Sequence, residues 1–166
     1  MVTTFAVGVK ITVFLADSGM PTHTGCAGSL VGTPVSHWAI VPSLPAKPGK
    51  HPLRSLVTGH ASGSEITLAA AEGIRRPREI NPAHFTSAVR LPEQSHVLLI
   101  DGTWTSGGHA QSASLALRRV GADKVSVLVV ARWLKTDFAE NQEFVRQLAE
   151  RDYDPGMCPW TGSSCP

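Results

Sequence analysis

The sequence has 166 residues, of which 42% are hydrophobic and 17% are charged, and its formal net charge is +2 at pH 7. This length fits one domain with a sizeable core, and the composition excludes an intrinsically disordered chain. So small a charge suits an anionic small ligand but does not by itself indicate DNA binding. The apolar N-terminus lacks the basic region of a signal peptide, and no stretch is long enough to span a membrane, so we expect a cytoplasmic protein.

The first half of the chain predicts short elements separated by loops. Residues 5–16 are apolar and β-branched, which indicates a strand or a short buried helix, whereas residues 17–36 predict no firm element. Residues 37–44 then predict a buried strand, and a proline-rich loop follows over 45–54. Two helices are predicted next, one over 52–60 with Pro52 in its first turn and one over 64–73 that Ser62 or Ser64 caps and Gly73 ends. A basic loop over 74–82 and a short strand over 84–89 complete this half.

The second half predicts a parallel βαβ unit. Continuous apolar runs at 96–101 and 124–131 indicate strands that are buried on both faces, and residues 107–120 between them predict a helix that ends at Gly121. The fold class is therefore α/β, with an open, mostly parallel sheet flanked by helices. We assign a single domain to residues 1–152. Its terminal amphipathic helix, 137–152, buries Phe138, Phe144, Val145 and Leu148, and residues 153–166 form a Pro- and Gly-rich tail.

The stretch "HVLLIDGTWTSGGHAQ" at 96–111 carries the most chemical information. In open α/β sheets, ligands bind at the carboxyl ends of the strands, and free N–H groups at a helix N-terminus attract phosphate. The loop 101–109 combines one carboxylate, Asp101, with three glycines and several hydroxyls. Such a loop suits a sugar phosphate, because the carboxylate can accept hydrogen bonds from ribose hydroxyls. Its spacing matches neither a Walker loop nor GxGxxG.

This stretch resembles the binding motif for phosphoribosyl pyrophosphate (PRPP) in type I phosphoribosyltransferases. The resemblance implies that Asp101 contacts the ribose and Mg²⁺, that Asp101 and Thr105 act in catalysis, and that the PRPP- or phosphate-binding residues are Asp101, Thr103, Trp104, Thr105, Ser106, Gly107, Gly108 and His109. Two positions depart from the motif, since Gly102 stands in place of a second acid and His109 in place of a hydroxyl. For Trp104, packing on the sheet edge is an alternative to contact with the ligand. For His109, a solvent-facing position in the first turn of the helix is an alternative to contact with the phosphate.

The upstream stretch "WAIVPSLPAKPGKHPLRSLV" at 38–57 is similar to the ComF-type branch of that family, although the branch's N-terminal cysteine-rich ribbon is absent. The resemblance covers roughly residues 37–135. It implies a pyrophosphate loop with Ser43, Lys47, Lys50 and Arg54, and a basic hood over the site with Arg75 and Arg76. Ordinary solvated loop positions are the alternative for these basic residues.

Two functions follow from the resemblance. The first is an enzyme that transfers a phosphoribosyl group to a nitrogen base with Mg²⁺. The second is a non-catalytic protein that binds a nucleotide or single-stranded DNA, which Gly102 favours because binding alone does not need the second acid. The enzyme is favoured if Glu65, Glu72 or Glu79 lies close to Asp101 and replaces the lost charge. A homodimer is compatible with either function, and we expect no membrane partner.

The cysteines and the remaining histidines predict little. Three cysteines without a CxxC pair define neither a disulfide framework nor a zinc ribbon. Cys158 and Cys165 allow a disulfide or a shared metal, but we expect two separate thiols in a reducing cytosol. His37, His60, His84 and His96 show no metal spacing, so we interpret them as structural or surface residues. The segment "CPW" suggests that Trp160 docks against the domain.

Overall fold

The computed structural model describes residues 3–5, 9–13, 23, 25–133, 141–143, 145–146, 154 and 156–166, with the backbone alone for 3–5 and 9–13. The strands are β1 (Thr3–Phe5), β2 (Val9–Val13), β3 (His37–Ile40), β4 (Ser64–Glu65), β5 (Ala69–Ala70), β6 (Phe85–Thr86), β7 (His96–Trp104) and β8 (Lys124–Arg132). The helices are α1 (Cys26–Val31), α2 (Pro52–Val57) and α3 (Gly108–Arg119), and a 3-10 turn covers Pro82–His84.

Six strands form one sheet in the order β1-β2-β8-β7-β3-β4 within the described part of the chain. The pairs β2–β8, β8–β7, β7–β3 and β3–β4 are parallel, whereas β1 pairs with β2 in the antiparallel direction at the edge of the sheet. The strands β5 and β6 form a separate two-stranded sheet. The predicted α/β class is therefore confirmed as a mostly parallel sheet with flanking helices, since α3 connects the parallel neighbours β7 and β8.

The central strand β7 is buried on both faces, as its continuous apolar run predicts. Val97 and Leu99 pack in one core cluster with the buried face of α3, whereas Leu98 and Ile100 pack in a second cluster with α1 and the C-terminal segment. Each of these four side chains is at most 1% exposed. The alternation of side chains along a strand explains why one sequence run contributes to both clusters.

Several predicted boundaries need correction. The helix predicted over 64–73 is wrong, because this segment forms β4 and β5, and Ile66 and Leu68 alternate into the core. The strand predicted over 96–101 continues to Trp104, which moves the start of the loop. The segment 17–36, for which no element is predicted, contains α1. In the predicted helix 137–152, residues 141–143, 145 and 146 are helical, and the rest, including Phe138, Phe144 and Leu148, lies outside the described residues.

Candidate phosphate site and metal cluster

The loop between β7 and α3 begins at Thr105, at the carboxyl edge of the parallel sheet. Thr103 and Trp104 are still paired with β8, opposite Ala131 and Arg132. Thr105 and Ser106 are exposed, and Gly107 then begins α3 as its N-cap residue. The turn is tight because Gly107 adopts a left-handed conformation with φ of 79°, which an L side chain rarely adopts.

The N-terminus of α3 has the properties of an anion site. No side chain caps it, and its first turn contains no acidic residue. The N–H groups at the start of a helix lack partners within the helix, and the helix dipole is positive there. The exposed hydroxyls of Thr105 and Ser106 precede this turn directly. Main-chain N–H groups and hydroxyl donors therefore meet at one end of the sheet.

Trp104 forms the floor of this loop. Its side chain is only 7% exposed and belongs to the α3-side core cluster. A Cβ atom built on Gly107 would lie 2.1 Å from Cζ2 of the Trp104 ring, so the glycine packs directly on the indole. Packing on the sheet edge, one of the two alternatives for Trp104, is what the structure shows. The ring is buried under the loop, so a contact between Trp104 and a ligand stays a prediction.

Asp101 is half-buried, three residues before the end of β7. Burial raises the pKa of its carboxyl to about 6, although hydrogen bonds from the backbone N–H groups of Thr103 and Gly102 oppose the shift. Asp101 is in register with Val129 of the α3-side cluster, which puts Asp101 on the α3 face of the sheet. The regular alternation ends before Trp104, which packs on that face too, and position 102 lies on the opposite face. Consistent with this, a Cβ atom on Gly102 would lie 3.6 Å from Cδ1 of Leu53 in α2.

Glu65, one of the acids that could replace the missing carboxylate, lies away from Asp101. Glu65 is in register with Trp38, and Trp38 is in register with Leu98, three residues before Asp101. At strand spacings, Glu65 is therefore displaced by roughly 10 Å along the sheet and roughly 10 Å across it. Its carboxylate accepts two hydrogen bonds from Nε and one from Nη2 of Arg54, between 2.7 and 3.0 Å.

The predicted hood packs against the first turns of α3. The carbonyl of Arg78 lies 2.4 Å from a Cβ atom built on Gly108, so glycine is needed for this close approach. Further along the segment, the N–H of Asn81 donates to Oγ of Ser112 at 2.9 Å. Arg75 and Arg76 are exposed, and Arg76 forms an ion pair of 2.7 Å with Glu79. The segment 74–82 thus lies beside the candidate phosphate loop.

His109 faces this hood and not open solvent. Its ring forms a hydrogen bond with the backbone of Pro77. Burial lowers the pKa of His109, and the nearby positive charges of His84 and Arg78 lower it further. A lowered pKa favours the neutral ring at pH 7, so His109 is better suited to positioning the hood than to donating a charge to phosphate.

The predicted pyrophosphate residues line a single cleft. Its volume is about 590 Å³, and its walls include Ser43, Lys47, Lys50 and Arg54. Lys47 and Lys50 are exposed, and the pKa of His51 in the same cleft is lowered by burial and by the charge of Lys47. The cleft opens after β3, which pairs in parallel with β7 through Ile40 and Ile100, so it adjoins the Asp101 end of the sheet.

A second constellation lies on the other face of the sheet. His23, Cys26, Cys158 and Cys165 each offer one ligand atom, and these atoms all lie within 4.8 Å of one another. Cys158 and Cys165 are free thiols, as we expect, but the fold brings them close to one another and to His23 and Cys26. Trp160 docks as predicted, because it is 3% exposed and its indole N–H donates to the carbonyl of His23 at 3.1 Å. The spacing His-x2-Cys was the overlooked signal in the sequence.

We compared the chain with protein-family models, with curated proteins and with solved structures, and none of them matches it. In the described residues, no helix combines the length and the apolar character that crossing a membrane requires.

Proposed function

We propose that this protein binds PRPP or the 5-phosphate of a nucleotide, in the manner of a phosphoribosyltransferase. The observation that carries the proposal is the uncapped N-terminus of α3, which follows Asp101 and the exposed hydroxyls of Thr105 and Ser106 at the carboxyl edge of the sheet. Phosphate is the ligand group that this combination of N–H and O–H donors suits best. The resemblance of the sequence to type I phosphoribosyltransferases supports the same ligand.

The adjoining basic cleft suits the pyrophosphate end of PRPP. Lys47 and Lys50 offer exposed charges in the cleft, and Arg54 offers a planar guanidinium. Arg54 is held by Glu65, but the ion pair is partly exposed and such pairs contribute little free energy. A pyrophosphate group with several negative charges can therefore compete with Glu65 for Arg54.

The one carboxylate of the site fits a magnesium ion that arrives with the ligand. Mg²⁺ is usually held by one or two carboxylates together with substrate phosphates and waters. Asp101 would be its protein ligand, and when bound the ion would neutralise charge on the pyrophosphate. Asp101 itself would accept hydrogen bonds from the ribose hydroxyls, and its charge would favour a positive centre developing on the ribose during transfer to a nitrogen base.

Calorimetric titration of the purified protein with PRPP, with and without Mg²⁺, tests this proposal. Losing a hydrogen bond to a charged group costs about 1.5–3 kcal/mol, so Asp101→Asn should weaken binding by roughly ten- to a hundredfold. Asp123→Asn is the matched control, because this exposed acid lies at the opposite end of the sheet, just before β8. Failure of wild-type protein to bind PRPP at millimolar concentration would refute the proposal.

The pyrophosphate end can be tested separately. Glu65→Gln removes the charge that holds Arg54, so we expect inorganic pyrophosphate to bind more tightly to this variant. Lys47→Ala should weaken the same binding. Equal affinities for all three proteins would place the pyrophosphate outside the cleft.

A non-catalytic binding protein is the second candidate, and a specific observation favours it. Gly102 removes one acid from the motif, and Glu65 does not replace it, because Glu65 lies away from Asp101 and is paired with Arg54. Binding of PRPP without turnover over a panel of purine and pyrimidine bases would support this candidate. Fluorescence anisotropy with a labelled single-stranded oligonucleotide would then test the DNA-binding form of it.

A further inference from the structure

We propose that His23, Cys26, Cys158 and Cys165 form a structural zinc site that fixes the C-terminal segment to the sheet. This site is independent of the proposed phosphate site. It joins parts of the chain that are far apart in sequence, since His23 and Cys165 are separated by 142 positions.

The ligand geometry is close to that of a tetrahedral zinc site. Nδ1 of His23 lies 3.9 Å from Sγ of Cys26 and 3.2 Å from Sγ of Cys165. With zinc bonds of about 2.0–2.3 Å, tetrahedral geometry separates ligand atoms by about 3.5–3.8 Å. All four atoms lie within 4.8 Å of one another, so small shifts of the side chains suffice to close the site.

The donor set favours zinc over other cations. Three thiolates and one imidazole are soft and borderline ligands, which bind Zn²⁺ and not Mg²⁺ or Ca²⁺. Four protein ligands would fill the coordination sphere, as in structural sites, and leave no open position for catalysis.

The surroundings of the cluster hold the ligands in place. His23, Cys26 and Cys158 are buried, and Cys26 and Cys158 pack in the same core cluster as Trp160. The chain around Cys158 is closed by two backbone hydrogen bonds of 2.8 Å, from the N–H of Cys158 to Ser163 and from the N–H of Gly162 to Cys158. Cys165 is exposed and provides a path by which the ion enters.

Zinc content measured by mass spectrometry on full-length protein, purified without chelators, tests the inference. We expect about one zinc ion per chain in wild type. The Cys165→Ser variant should lose most of the metal while the sheet stays folded, because Cys165 is exposed and adds no side chain to the core. His60→Asn is the matched control, since His60 is an exposed histidine outside the cluster, and it should retain the zinc.

Cobalt substitution gives a second readout that does not depend on any variant. Co²⁺ added to the metal-free protein should produce the visible absorption of a tetrahedral thiolate complex, which zinc should abolish. Absence of both zinc and the cobalt spectrum would overturn the proposal. So would an intact mass that shows a disulfide between two of the cysteines in protein purified under reducing conditions, or equal zinc content in Cys165→Ser and wild type.

Discussion

Replacing Asp101 by asparagine should stabilise the folded protein at neutral pH, although we expect it to weaken ligand binding. The carboxyl is half-buried, and burial raises its pKa from 3.8 to about 6. The folded protein therefore holds this proton more tightly than the unfolded chain does. An amide of nearly the same shape avoids the cost of burying the charge.

The size and the pH range of the effect follow from the two pKa values. A pKa raised from 3.8 to about 6 corresponds to up to about 3 kcal/mol. The contribution of Asp101 to the free energy of unfolding is most favourable below pH 3.8, falls as the pH rises from about 4 to about 6, and is constant above that range. The advantage of Asp101→Asn over wild type should thus be largest above pH 6.

Urea unfolding of both proteins between pH 4 and pH 8 measures this difference. Other titrating groups are common to both proteins, so the difference in the free energy of unfolding isolates Asp101. Asp123→Asn, which removes an exposed acid outside the site, is the control for the loss of one negative charge. A difference between wild type and Asp101→Asn that stays constant from pH 4 to pH 8 would refute the reasoning.

Two further predictions concern glycines of the site. Gly107→Ala should destabilise the protein by about 1–3 kcal/mol more than Gly59→Ala does. Both glycines have positive φ, but only Gly107 packs on Trp104. Equal losses in the free energy of unfolding, measured with urea, would contradict this. Gly102→Asp should fold normally, because its Cβ makes only an ordinary contact with Leu53, and should tighten PRPP binding by roughly ten- to a hundredfold in calorimetry. A folded Gly102→Asp protein with unchanged affinity would show that the second acid is not what the site lacks.

The βαβ unit was predictable because its signals are local. The runs 96–101 and 124–131 are continuously apolar, and glycines bound the helix between them at Gly107 and Gly121. The loop boundary was less predictable. The strand β7 continues through Gly102 to Trp104 because β8 supplies a pairing partner over the same length.

The wrong prediction of a helix over 64–73 shows that tertiary packing can override local helix propensity. Its alanines favour a helix, but Ile66 and Leu68 alternate into the core, and the N–H of Ile66 donates to the carbonyl of Trp38 at 2.7 Å. This pairing to the neighbouring strand outweighs a weak intrinsic preference. Glu65 lies in β4, directly before Ile66, and its ion pair with Arg54 could not be predicted from the sequence either.

The metal cluster was hidden for a different reason. Its two halves lie at positions 23–26 and 158–165, and no local sequence pattern predicts that they are close in the folded protein. The pairs His23-x2-Cys26 and Cys158-x6-Cys165 have plausible spacings for metal ligands, but only the fold shows that all four atoms converge.

The strand β7 lies between the metal cluster and Asp101. Leu98 and Ile100 belong to the core cluster that contains Cys26, Cys158 and Trp160, whereas Asp101 faces α3 on the opposite side. The loop after the strand combines a half-buried carboxylate with an uncapped helix N-terminus, and both cost folding free energy. A metal that joins residues 23–26 to 158–165 would offset such costs from the other face of the sheet.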